Sequence, residues 1–167
     1  MRMIRILFTV LGIFLLPLLL LSCNRNLSAI ERSKSDPVIV NAFTMSNDIL
    51  YHVNEYRKKK GLGMLKGIAA ADEQAALHSK NMALKRTAFG HDGFENRIQR
   101  ITKSTGTIMA AAENVAYGKL SAEEVVKGWI NSPGHRKNIE GNYTQTGIGV
   151  YQDAKGVIFF TQLFIRQ

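Results

Sequence analysis

The chain predicts an α+β fold in which helices come first and an antiparallel sheet closes the sequence. Apolar residues recur at helical spacing through the first two thirds of the domain, then shorten into two β-branched and aromatic runs near the C-terminus. No regular strand-helix-strand alternation and no glycine-rich phosphate loop occurs, so a doubly wound parallel sheet is disfavoured. A length of 167 residues with 46% hydrophobic and 21% charged residues suits one globular domain once the N-terminal segment is set aside.

That segment has its own chemistry. Arg2 and Arg5 precede a run of 16 almost wholly apolar residues, Ile6 to Leu21, followed by Ser22 and Cys23. As a helix the run would reach about 24 Å, short of the roughly 30 Å hydrocarbon core, so residues 1–22 read as an export signal rather than a span. The Leu20-Leu21-Ser22-Cys23 ending resembles the lipobox of bacterial lipoproteins, which implies acylation of Cys23. Cys23 is the only cysteine in the sequence, so no internal disulfide can form. Residues 23–40 are polar with scattered charge and read as a flexible tether, leaving 41–167 as the folded domain. The expected location is therefore the bacterial cell envelope, lipid-anchored and extracytoplasmic, with the membrane as a partner through the acyl chains.

The formal charge is +9, and without the arginines of the signal 20 basic residues stand against 13 acidic ones. The basic residues are dispersed and form no tract interleaved with aromatics, so nucleic acid is not expected as a partner. Anionic headgroups or acidic envelope polymers remain compatible with that surface.

Within the domain, Ile49, Val53 and Tyr56 mark a first helix, with Ser46, Asn47 and Asp48 offering capping and Gly61 following its end. A second helix runs over 68–86, its packing stripe drawn from Ala76, Leu77, Met82 and Ala83. Gly90 and Gly93 place His91 on a loop before a short helix at 94–101. The best-marked helix starts at Ser121, where Glu124 completes a capping box and Leu120 with Val125 form a staple. Val125, Val126, Trp129 and Ile130 form its apolar stripe, and Pro133-Gly134 should stop it. Residues 146–151 and 157–164 read as strands joined by a hairpin loop.

The candidate site residues are His91, Glu113 and His135, each placed by the sequence at a loop or element end. Two histidines and a carboxylate form a ligand set that zinc accepts with one position open for water, although the HExxH spacing is absent. Ser132 lies three residues before His135, but no G-x-S-x-G elbow surrounds it, and Asn131-Ser132-Pro133 reads as helix-ending chemistry. His52 and His78 fall inside helical patterns and read as half-exposed structural groups.

Taken in order, Val53-Asn54-Glu55-Tyr56-Arg57, Phe89-Gly90-His91, Glu113-Asn114-Val115-Ala116-Tyr117-Gly118, Trp129 to Ile139, Gly147-Ile148-Gly149-Val150 and Phe160-Thr161-Gln162-Leu163-Phe164 resemble the CAP superfamily, in its bacterial, disulfide-free SCP-domain branch. The resemblance covers about residues 49–164 and implies an alpha-beta-alpha sandwich with a central cleft of two histidines and two acids that in some members hold a divalent metal. His91, Glu113 and His135 match three of those four positions; Ser132 stands where the second acid is found. Zinc or magnesium is thus a candidate cofactor of His91, Glu113 and His135, although none is required. The resemblance implies a binding protein for a lipid, an envelope component or a protein partner. The alternative is a metal-dependent hydrolase using the same three residues.

Overall fold

The computed structural model describes residues 40–167. The expected export signal, Cys23 and all but the last residue of the expected tether lie outside the described residues.

A four-stranded sheet in the order β1-β3-β4-β2 is covered by helices on both faces. The elements are α1 (Ala42–Lys59), β1 (Lys66–Gly67), α2 (Ala69–Ala83), α3 (Phe94–Thr105), β2 (Ala110–Gly118), α4 (Ala122–Asn131), α5 (Pro133–Ile139), β3 (Gln145–Gln152) and β4 (Ile158–Arg166). β3 and β4 form an antiparallel hairpin, and β2 pairs antiparallel to β4 with Glu113 opposite Leu163. The two residues of β1 pair parallel to the start of β3, an exception to the antiparallel expectation.

Strand alternation sends successive side chains to opposite layers. Ile148, Val150, Phe160 and Phe164 face α1, α4 and α5, where they pack with Ile49, Val53, Val125 and Trp129. Leu163 and Ile165 face α2 and α3, meeting Ala71, Ala75 and Ile101. Gly147 and Gly149 also face α2, and a Cβ at either would fall on the helix backbone at Ala71 or Ala75. Glycine on the strand and alanine on the helix therefore allow backbone-to-backbone approach.

The structure moves several of the expected boundaries. α1 is capped earlier, by Asn41, whose side chain accepts from the Thr44 amide at 3.2 Å. The buried stripe of α2 is Ala71, Gln74, Ala75, His78, Ser79, Met82 and Ala83, while Ala76 and Leu77 face outward. The close seating on Gly147 and Gly149 selects alanine at positions 71 and 75 of this stripe. The capping box at Ser121 and Glu124 forms as expected. Pro133 ends α4 but also occupies the first turn of α5, where its fixed φ and missing N–H are tolerated. His135 consequently lies on a helix rather than a loop. Glu113 lies in the middle of β2, not at an element end, because the 110–118 segment is recruited along the full length of β4.

Candidate functional site

The site lies on β2, an edge strand, with the loop after α2 joined to it through His91 and α5 joined to it through Asn114 and Asn138. Its anchor is the Glu113 carboxylate. β2 directs Glu113 to the α2/α3 face, and its side chain is only 2% exposed. A buried carboxylate needs a cation and hydrogen bonds, and α3 supplies both through Arg97. Arg97 Nε donates to Oε2 at 2.9 Å and Nη2 donates to Oε1 at 2.8 Å, a two-pronged pairing that neutralises the charge.

The other guanidinium donors are used as well. Nη1 donates to the Asp92 carbonyl at 2.8 Å and lies 3.2 Å from His78 Nδ1, and Nη2 lies 3.4 Å from the His91 carbonyl. Because arginine only donates, His78 Nδ1 accepts, so its Nε2 carries the proton that is donated to the Gly90 carbonyl at 2.9 Å. His78 is therefore neutral. Burial is the main cause holding its pKa below the ordinary histidine value, with Arg97 adding to the shift and the Gly90 carbonyl and Glu113 opposing it. His78 is 3% exposed, a correction to the half-exposed role expected from sequence; His52 is half-buried.

His91 completes the carboxylate shell from the solvent side. Its Nδ1 lies 2.9 Å from Glu113 Oε1, so Nδ1–H donates to the carboxylate and Nε2 is left outward on a side chain that is 55% exposed. His135 approaches from the opposite layer. The Asn114 side chain donates to the His135 carbonyl at 3.1 Å, and Asn138 Nδ2 donates to Asn114 Oδ1 at 2.9 Å and to the Glu113 carbonyl at 3.2 Å. These bonds fasten α5 to the otherwise open edge of β2. Burial pushes the His135 imidazole below the ordinary histidine value, and the charge of a protonated His91 acts in the same direction.

The structure thus joins His91 to Glu113 and sets His135 within electrostatic reach of His91. Ser132 stands apart as the residue between α4 and α5: its backbone N–H donates to Gly128 and Trp129, its carbonyl accepts from Arg136, and its hydroxyl has no hydrogen bond to the three among the described residues. Arg97, Asn114 and Asn138 were not offered as site residues from the sequence, and His78 was read there as a structural group outside the site. Arg97 had left a signal, since it falls on the same face of α3 as Phe94, Ile98 and Ile101, and an arginine inside an apolar stripe needs a buried partner.

A zinc or magnesium ion held by His91, Glu113 and His135 would need a Glu113 oxygen free to coordinate. Both oxygens already accept hydrogen bonds from Arg97 or His91, and the Arg97 guanidinium supplies the compensating charge, so a divalent cation there would meet a fixed positive charge. Among the described residues no three His, Cys, Asp or Glu side chains are grouped to hold a metal ion. The residues present do not fit that three-ligand metal site.

A helix-sheet-helix sandwich with a histidine-glutamate site on one sheet edge defines an SCP-type domain. The model of the cysteine-rich secretory protein (CAP) family matches residues 50–164, and the chain belongs to this family. It is 33% identical over 127 residues to the uncharacterized membrane protein YlbC of Bacillus subtilis (strain 168), covering 74% of this chain and 35% of that protein. It is likewise 33% identical over 133 residues to the uncharacterized protein YkwD of the same organism, covering 78% and 50%. Among solved structures, an extracellular SCP-domain protein from Bacillus anthracis superposes with a TM-score of 0.65 at 31% identity, covering 75% of this chain and 41% of that one. The chain spans half or less of the length of these relatives.

Proposed function

We propose that this protein is a membrane-tethered, extracytoplasmic CAP-domain binding protein whose site captures an envelope component through His91 and His135. The single observation that supports binding over catalysis is the pairing of the buried Glu113 carboxylate with Arg97. Its carboxylate is buried and held by Arg97 and His91, so a proton or a divalent cation would have to compete with the Arg97 guanidinium. What faces outward is an imidazole edge on His91, with the half-buried His135 within its electrostatic reach, groups suited to hydrogen bonding with a polar or acidic ligand. The extracellular relative from Bacillus anthracis and the membrane-protein relative from Bacillus subtilis support an envelope setting. Acylation at Cys23 would supply the tether.

The test is to purify the protein from bacterial envelopes and identify the copurifying small molecules by mass spectrometry, beside the His91→Ala/His135→Ala double variant. A component enriched with the wild type and lost from the double variant is expected. Identical profiles would remove both histidines from binding. Chelator-sensitive peptide or ester hydrolysis by the same wild-type sample would instead establish the hydrolase alternative. Separately, unacylated wild-type protein in the soluble fraction would sink the tether.

A further inference from the structure

On the α2 face, beyond the loop that carries His91, lies a second feature that the histidine site does not use. Tyr117 and Phe89 are 58% and 48% exposed, high values for aromatic side chains. They are not isolated: the Phe89 and Tyr117 ring centroids are 4.8 Å apart at 69°, and Tyr117 continues onto Phe159 across the strands at 5.7 Å and 19°. Together with Met82 they border an open cavity of ≈ 470 Å³, whose charged lining residues are Lys85 and Arg86 and which has no acidic lining residue.

The backbone adds an independent observation. Lys85 has φ 55°, the only positive φ at a residue other than glycine among the described residues. It follows the C-cap of α2, a place where glycine is favoured because a Cβ is strained in that region. A lysine held there keeps a cation at the cavity rim at a conformational cost.

We infer that this aromatic cavity with its basic rim is a binding site for an anionic glycan, a sugar chain bearing carboxylate groups. The apolar C–H faces of pyranose rings suit contact with Phe89 and Tyr117, and the acidic groups suit Lys85 and Arg86. The concave, aromatic-lined shape and the absence of acidic lining residues favour such a chain over a neutral one. The site goes beyond the histidine site and does not depend on the reading given for it.

The experiment uses the full chain in zwitterionic detergent micelles, titrated calorimetrically with oligogalacturonate and its neutral methyl ester. Polyglutamate supplies charge without sugar, and phosphatidylglycerol vesicles test a membrane-facing role. Oligogalacturonate is expected to bind at millimolar concentration or below, and Tyr117→Ala and Arg86→Gln should each weaken it about tenfold. Lys85→Gly separates binding from folding: it should raise Tm by about 2–4 °C through relief of the left-handed strain while weakening the glycan. No binding of oligogalacturonate would overturn the assignment. Equal binding of the methyl ester would remove the role of charge, equal binding of polyglutamate would remove the role of the aromatics, and preference for the vesicles would make this a membrane-contacting face.

Discussion

Glu113 and His91 share one hydrogen bond yet belong to opposite environments, with side-chain exposures of 2% and 55%. The inner half of the site is Glu113, Arg97 and His78, a closed set in which the guanidinium satisfies a carboxylate, an imidazole nitrogen and two backbone carbonyls. The outer half is His91 and His135, with the Asn114-Asn138 pair holding the helix that carries the second imidazole. The difference teaches that the acid of a histidine-glutamate cluster need not be its reactive group. Here it fixes the tautomer and direction of His91 and ties α3 to the sheet.

The comparison is broken most forcefully by removing one partner of the buried pair. Arg97→Ala would strand the Glu113 carboxylate away from water and should lower stability by about 3–5 kcal/mol, read from denaturant unfolding. Arg97→Met combined with Glu113→Gln should recover part of that loss, since no buried charge remains. A single-variant loss below about 1 kcal/mol would show that the inner half is not closed.

A weaker effect is expected on the link between the halves. Asn138→Ala removes the donor to Asn114 and to the Glu113 carbonyl, and should cost about 1–3 kcal/mol through buried polar groups left unpaired. It should also shift the ring resonances of His135 in NMR spectra while leaving those of His78 nearly unchanged. Equal shifts at both histidines would mean that α5 and the inner network move as one.

Much of this arrangement was legible in the sequence, and the parts that were not share a physical cause. Ser121 and Glu124 announce their helix because a capping box is local chemistry, complete within four residues. His91, Glu113 and His135 could be picked out by residue type and neighbouring glycines. β2 was hidden because Ala110, Ala111, Ala112, Glu113 and Asn114 have little intrinsic preference for a strand; pairing along β4, far away in sequence, makes it one. Arg97 and His78 were hidden for the same reason. Their role depends on two helices being laid on one face of the sheet, and spacing within either helix does not reveal which carboxylate they will meet.

The pH response should sharpen the contrast within the inner half. The folded-state pKa of His78 is depressed, chiefly by burial, so below the ordinary histidine value of about 6.5 the unfolded chain takes up a proton more readily than the native one. Stability is therefore complete above that value and falls as pH drops through it towards the folded pKa. His135, also depressed by burial and then by His91, acts with the same sign. A series of Tm measurements from neutral to mildly acidic pH should decline for the wild type, and the decline should be shallower for His78→Gln. An unchanged slope in that variant would assign the response to His135 and the outer half.

The smallest effect belongs to Ser132, the position where the family resemblance places a second acid. Its hydroxyl makes no cap bond at the start of α5, whose N-terminus is instead set by Pro133. Loss of a bonded cap costs typically about 1 kcal/mol, so Ser132→Ala should fall well below that, within about 0.5 kcal/mol. Ser132→Glu is the more revealing exchange. If Arg97 keeps Glu113 engaged, adding a carboxylate at 132 supplies one new ligand without releasing the other, and zinc affinity should rise by no more than about tenfold. A much larger gain, measured calorimetrically, would mean that the Arg97 pairing yields to a metal and that the two halves of the site are not separate.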